Sequence, residues 1–390
     1  MLYYIAMLLK DSWGPFRLLQ SHVVLLAGGT FFAALLSMLL LPKLWSLLPR
    51  DRGKVICSDL GGMKSAGKPT GAGMLVTLIA LPIIVLFAPL AFWDLLSVGA
   101  IYFAMIFGYL DDRADTPWGE LKKGLLDAVV SIAIATFIFL GHSHVPAELT
   151  NLPEFAYTFG DDIFNSAAAC KSARMIVWLP FVKGLWFAPW WLYIPAAASV
   201  IWFTLNATNC SDGVDGLAGS LTVIALVMLA VILYIVVGYR PVAHYFLIPC
   251  YSEAARWAIV TMIISGAFGG YLWFNAEPSK ILMGDAGSRF LGVLVATACL
   301  MTGNPFMVLA IAPIVLVNGG GGLAKLVLLR VAKKLGFAVA DDSIIRRIRF
   351  PLHDHFKKNL GWSNAQVLMR FILLQLAIMP VLLIIFIKIR

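Results

Sequence analysis

A succession of apolar stretches, most of them about 17 to 25 residues long, constrains this chain more than any other feature. A helix of that length crosses roughly 30 Å of hydrocarbon with every backbone group paired internally. Runs of this kind imply helices rather than a barrel. The composition agrees. With 61% hydrophobic and 13% charged residues, and a mean hydropathy of +0.87, the chain has too little polar surface to face water on all sides.

The spacing predicts an all-α, polytopic integral membrane protein with ten spans, near 23–48, 73–92, 94–110, 125–141, 188–206, 217–237, 256–274, 289–302, 305–329 and 366–388. Spans two and three are divided only at Trp93, on grounds of length, and the eighth is short. Lys and Arg mark the cytoplasmic side. Loop 49–72 carries Arg50, Arg52, Lys54, Lys64 and Lys68; loop 330–365 carries Arg330, Lys333, Lys334, Arg346, Arg347, Arg349, Lys357 and Lys358. Counting from these puts loops 111–124, 207–216 and 275–288 on the same face. Both termini and loops 142–187 and 238–255 then lie outside.

The net charge of +9 is mostly this topology signal, with attraction to anionic lipid or a phosphorylated substrate second; nucleic acid is not an expected partner. The first 22 residues do not read as a cleaved signal peptide, and span one itself directs insertion. Cys57, Cys170, Cys210, Cys250 and Cys299 lack paired metal spacing, and most read as packing residues. Loop 142–187 reads as a linker or a small amphipathic hairpin. No repeat of fixed period appears, so residues 1–390 read as one domain.

Four motifs carry chemistry. Acids beside the hydrocarbon are costly and therefore candidates for function. Asp111 and Asp112 end span three, where one could hold a metal and the other handle a proton, or both could mark a helix end. At a helix C-terminus carboxylates oppose the macrodipole and gain little. The segment Asn206-Ala-Thr-Asn209-Cys-Ser-Asp212-Gly-Val-Asp215-Gly sets two amides and two carboxylates at three-residue spacing. On one helical face they would suit a base, a sugar or a hard cation. An Asx-rich turn explains one Asp and one Gly, but not four polar side chains between apolar spans.

Met283-Gly-Asp285-Ala-Gly-Ser288 precedes the eighth span, where Asp285 could simply cap the helix. Its weight comes from company. Topology gathers five carboxylates on one face, and their repulsion invites a divalent cation. Pro351-Leu-His353-Asp-His355-Phe lacks further zinc ligands nearby and suits a phosphate contact, unless the basic residues around it only obey the orientation rule. In Gly67-Lys68-Pro69-Thr70-Gly-Ala-Gly73 no P-loop is complete, but Lys68 or Thr70 can lie near phosphate. Gly319 to Gly322 imply close packing or a broken helix, and Lys325 in that span needs an internal partner or must snorkel.

In this order the motifs resemble the bacterial phospho-N-acetylmuramoyl-pentapeptide transferases, within the polyprenyl-phosphate N-acetylhexosamine-1-phosphate transferases. The resemblance covers nearly the whole chain, from the Lys-Pro-Thr loop through the acid pair, the Asn/Asp motif, Trp273-Phe-Asn275 and Met-Gly-Asp to the histidine motif. Ten spans with both termini outside is also that family's architecture. It implies Mg²⁺-dependent transfer of phospho-MurNAc-pentapeptide from UDP-MurNAc-pentapeptide to undecaprenyl phosphate, giving lipid I and UMP. The setting is the bacterial cytoplasmic membrane, with the site on the cytoplasmic face and a homodimer as the family's assembly.

Position by position, the resemblance makes Asp285 a magnesium ligand, with Asp212 on the metal side. Asp111 would deprotonate or orient the lipid phosphate, and Asp112 would support phosphate or metal. Asn206, Asn209, Asp215 and Asn275 would line the nucleotide site. His353 and His355 would contact pyrophosphate and sugar, and Lys122 would meet phosphate. The chain departs from the family at Asp354, where a third histidine is usual, and at Leu282, where an aromatic usually supports the uracil. It also lacks a lysine just after the acid pair and has a longer 142–187 loop. A sister-branch transferase using UDP-N-acetylglucosamine is the alternative within this chemistry. A secondary transporter is the alternative of another class, though its acids would sit nearer mid-membrane.

Overall fold

The computed structural model describes residues 1–10, 14–51, 66–114, 116, 118–142, 174–182, 185–251, 253–335 and 347–388. Expectations that fall on 52–65, 143–173 and 336–346 lie outside these residues. Among them are Cys57, Cys170, Arg52, Lys54, Lys64, Arg346 and most of the long loop.

The described chain is nearly all helix. Helices α1 (Leu2–Leu9) and α2 (His22–Leu44) come first, then α3 (Ala72–Phe87), α4 (Phe92–Arg113) and α5 (Glu120–His142). An antiparallel hairpin follows, β1 (Arg174–Trp178) with β2 (Leu185–Pro189), in register from Arg174 opposite Pro189 to Trp178 opposite Leu185. Next come α6 (Trp190–Ser211), α7 (Leu217–Val231), α8 (Arg240–Phe246), α9 (Ala254–Asn275) and α10 (Gly284–Leu300). Last are α11 (Met307–Ile311), α12 (Gly321–Lys334), α13 (Leu352–Leu360) and α14 (Asn364–Lys388).

Among the described residues, seven helical stretches are long and apolar enough to cross a membrane. They match the expected first, third, fourth, sixth, seventh, ninth and tenth spans. The other three expected segments are also helical: α3 is apolar but has 16 residues, α10 has 17, and α6 has 22. The division between spans two and three falls at residues 88–91 rather than at Trp93. Pro89 lies in that break, where it cannot donate to a helical ladder, and Asp94 Oδ2 accepts the Ala91 amide to restart the chain as α4.

Helix α10 is the axis of the molecule. Every residue from Ala286 to Leu300 is buried, so α10 has no lipid-facing side, and its polar side chains Ser288, Arg289 and Thr297 lie inside the bundle. It packs against α3, α4, α6 and α7, while α9 packs on α2. The hairpin closes the far end of α10: the Trp178 amide donates to Gly303 O and its indole to Thr302 O.

Of the two readings of the glycine run in the ninth span, close packing holds and a broken helix does not, since Pro313–Lys334 continues as one helical stretch. Residues Leu316–Gly320 form a π turn between Pro313–Val315 and α12. Gly319 is pressed against the Ala207 carbonyl of α6, which a side chain would overlap. Beyond it, none of the residues of α12 is buried. Lys325 finds its internal partner in Ile348 O, at 2.7 Å.

Candidate active site

Three helix ends meet at one end of the bundle. The C-terminus of α4 brings Asp111 and Asp112, the N-terminus of α10 brings Asp285, and the first turn of α5 brings Lys123. What lets them meet is an absence of side chains. A methyl group on Gly73 at the start of α3 would overlap the backbone of Gly287, so two glycines set the approach of α3 to α10.

Asp112 resolves the helix-dipole objection. It does end α4, but its carboxylate faces the positive end of α10, where Oδ1 accepts the Asp285 amide (3.0 Å) and Oδ2 the Ala286 amide (3.1 Å). Asp285 therefore does not cap its own helix, as one reading of the motif allowed; Asp112 caps it from another. Each Asp112 oxygen thus accepts one backbone amide of α10.

Asp111 accepts the Trp118 amide on Oδ1 (2.7 Å) and pairs through Oδ2 with Lys123 Nζ (2.5 Å). The same ammonium lies 3.3 Å from Asp285 Oδ2. Lys122, the expected phosphate lysine, stacks its ammonium 3.5 Å over the Trp118 ring. The lysine facing the acids is thus Lys123. Below it, Arg289 of α10 reaches Asp285 Oδ2 through Nε (3.6 Å) and pairs with the buried Asp127 of α5. The expected mutual repulsion of bare carboxylates is thus relieved in part by protein cations. Formally, Asp111, Asp112, Asp127 and Asp285 against Lys123 and Arg289 leave two negative charges.

A second group lies where the loop after α6 meets the loop before α10. Lys68 Nζ donates to Ser279 Oγ (2.9 Å) and lies 3.9 Å from Asp215 Oδ2, which also accepts the Ser279 amide (3.3 Å). Asn275, 3% exposed, clamps the two loops: Oδ1 accepts the Gly216 amide and Nδ2 donates to Ile281 O, both at 2.8 Å. Asn206 Nδ2 bonds back to Trp202 O within α6, while the buried Asn209 Nδ2 has no hydrogen-bond partner. Asp212 is the half-buried C-cap of α6, and the Thr70 amide donates to Pro49 O. The two groups are joined by backbone, since Leu282 N donates to Pro69 O and Ala72 N to Leu282 O.

The histidine motif docks on this loop. His353, 2% exposed, packs on Gly213, where any side chain would overlap its imidazole. Asn318 of the π turn accepts from the His353 amide (2.9 Å) and lies 3.2 Å from its Nδ1, which fits a proton on Nδ1 and a lone pair on Nε2. Burial pushes the pKa of His353 down to about 4, so the ring is neutral at pH 7. His355 is only half-buried and accepts the Arg349 amide at Nδ1 (3.3 Å). Asp354 lies 3.7 Å from His353 Nε2.

Lys123, Asp127, Arg289, Ser279 and Asn318 are the site residues that motif reading passed over. For three of them a signal existed: Lys123 and Asp127 stand four residues apart at the start of an apolar run, and Arg289 stands four after Asp285. Between α3 and α4, an apolar cavity of about 500 Å³ runs from Leu95 past Gly99 and Met105 to Met74 and Tyr109, two residues short of Asp111.

A membrane-embedded site of this kind, with carboxylates and lysines at the mouth of an apolar groove, suits an enzyme joining a soluble phosphate ester to a lipid. Comparison with known proteins bears on this. The profile of glycosyl transferase family 4 matches residues 95–303. A phospho-N-acetylmuramoyl-pentapeptide-transferase of Treponema pallidum (strain Nichols) is 39% identical over 363 residues, covering 93% of this chain and 90% of that protein. Proteins of the same name are 29% identical in Brachyspira hyodysenteriae (strain ATCC 49526 / WA1; 95% of each chain) and 27% in Borreliella burgdorferi (strain ZS7; 91% and 93%). The chain belongs to the phospho-N-acetylmuramoyl-pentapeptide-transferase family within glycosyl transferase family 4, and is a transferase.

Proposed function

We propose that the protein moves phospho-MurNAc-pentapeptide from UDP-MurNAc-pentapeptide to undecaprenyl phosphate, forming lipid I and UMP on the cytoplasmic face of a bacterial membrane. In this reading the chain crosses ten times with both termini outside. The observation that carries it is the Asp111–Lys123–Asp285 cluster set at the end of an apolar groove.

The reaction needs little covalent chemistry from the protein. An oxygen of the lipid phosphate attacks the sugar-bearing phosphorus, the P–O–P bond breaks, and UMP leaves with the bridging oxygen. At pH 7 a phosphate monoester, with a second pKa of about 6, is largely dianionic. It therefore needs alignment more than deprotonation. Lys123, oriented by Asp111, would draw the lipid phosphate to the site. Lys68, held by Ser279 and Asp215, would meet the donor's phosphates. Asn209 Nδ2, which has no hydrogen-bond partner, would serve as a donor to uracil or sugar. Neutral His353 would keep the Asn/Asp loop in shape, leaving pyrophosphate contact to the more exposed His355.

The chemistry of the donor set fits Mg²⁺. The ligands on offer are carboxylate oxygens, and two formal negative charges remain in the cluster. Among the described residues no three His, Cys, Asp or Glu side chains form a metal cage. Mg²⁺ suits that provision, because it is usually held by one or two carboxylates together with waters and substrate phosphates. Asp285, with Asp212, would hold it, and its charge would offset that of the pyrophosphate. The prenyl chain would lie in the groove along α4, where Leu95 to Tyr109 spans about 21 Å of helix.

Purified protein in detergent, given undecaprenyl phosphate with either UDP-MurNAc-pentapeptide or UDP-N-acetylglucosamine, tests this. UMP and a lipid product from the muropeptide donor alone, abolished by chelation, are expected. Product only from UDP-N-acetylglucosamine would move the chain to the sister chemistry, and none from either donor would overturn the reading.

A further inference from the structure

Arg289 and Asp127 form a buried ion pair that the reaction outlined above does not use. Arg289 sits in the second turn of α10, 5% exposed, and Asp127 faces it from α5, 2% exposed. Asp127 Oδ2 and Arg289 Nε have no hydrogen-bond partner. Stability is a poor reason for such a pair. A buried ion pair left partly unsatisfied is commonly no better than apolar side chains of similar volume, although losing one partner alone typically costs about 3–5 kcal/mol.

The geometry supplies a better reason. Arg289 lies one helical turn after Asp285, and its Nε is 3.6 Å from Asp285 Oδ2, the same oxygen that Lys123 approaches to 3.3 Å from α5. Two cations on different helices therefore bracket one carboxylate oxygen. The bracket holds only if Arg289 cannot swing away. Asp127 prevents this by binding the far side of the guanidinium, whose planar fork holds two carboxylates in a fixed relative geometry that an ammonium on a flexible stem does not impose.

We propose that Arg289, locked by Asp127, is a positioning residue that fixes the rotation of the Asp285 carboxylate. This rests on the proposed phosphosugar transfer, in which Asp285 acts at the reacting phosphates. Arg289 is walled off from substrate by its burial, so it acts through Asp285 and not by binding donor or acceptor.

The test replaces the pair by apolar residues, Asp127→Leu with Arg289→Leu, and sets this double variant beside Arg289→Lys and the wild type. Misplacing a catalytic group by about 1 Å can cost roughly 10²-fold. The double variant is expected to lose about 10- to 100-fold in kcat on that scale, with Tm and the KM values for donor and acceptor near wild type. Donor affinity by calorimetry without added metal should also be unchanged. Arg289→Lys, keeping charge without the fork, should recover part of kcat. The proposal is overturned if the double variant keeps its kcat, if the loss falls on donor KM or affinity, or if Tm collapses, which would make the pair a stability element. Wild-type protein that releases no UMP would instead overturn the parent reading, and this inference with it.

Discussion

Lys122 and Lys123 are neighbours in sequence, yet their side chains meet very different partners, and replacing each by methionine separates the two environments. Lys122 rests on the Trp118 ring, an exposed cation–π contact of about 0.5–1 kcal/mol. Lys123 lies 2.5 Å from Asp111 and 3.3 Å from Asp285. With an effective dielectric of about 20, those separations correspond to roughly 7 and 5 kcal/mol of gross attraction. Desolvation cancels much of this, and stripping the cation from such a cluster typically costs about 3–5 kcal/mol. If about 3 kcal/mol of it is lost from the transition state, transfer slows by a factor on the order of 10². We therefore expect Lys123→Met to cut UMP release from UDP-MurNAc-pentapeptide by about two orders of magnitude, and Lys122→Met by less than about tenfold. Rates are compared in detergent at saturating substrates, with thermal unfolding as the control for folding. Equal losses, or a greater loss for Lys122→Met, would refute the assignment of Lys123 to the acid cluster.

Three further outcomes follow from other parts of the site. Gly99 borders the groove with open space where a Cβ would stand, so Gly99→Leu should raise KM for undecaprenyl phosphate and leave KM for the nucleotide donor unchanged in steady-state assays. Asp112→Ala uncaps α10 and should cost about 0.5–2 kcal/mol of stability, read as a lowered Tm, together with a loss of kcat because Asp285 stands in the uncapped turn. His353, held neutral with its pKa lowered to about 4, takes up its proton more readily unfolded than folded. Its stabilising share is complete above the unfolded pKa of about 6.5 and is lost as pH falls from there towards about 4. His353→Gln should flatten the fall in Tm over that interval, and an unchanged slope would refute the burial argument.

The helices were legible because bilayer thickness imposes a length on apolar runs, and the acidic motifs because charge beside hydrocarbon demands a reason. Partnership was harder to read. Whether Lys122 or Lys123 faces Asp111 depends on a 100° rotation about α5, which is decided by how α5 packs on α4 and α6. Asp112 as the cap of α10 joins residues 173 positions apart, and local capping rules see only the neighbours of Asp285. The break before α4 falls around Pro89, which cannot donate to a helical ladder, and the length of the two apolar runs does not reveal it. His353 carries the residue type of a phosphate ligand, but its burial on Gly213 and Asn318 is a property of the folded loop alone.

The π turn at Leu316–Gly320 gives the ninth span a counting constraint. A π turn holds about one residue more than the α-helical turn it replaces. Deleting Val317 would let the segment relax to a plain α-helix while turning everything on one side of it by about 100° relative to the other. Asn318 would then swing off His353, and the glycine face at residue 319 would leave α6. A one-residue deletion, harmless in many surface loops, would here detach the histidine segment from the bundle without altering any polar side chain. The residue count across that turn is therefore under as tight a constraint as the identity of any acid in the site.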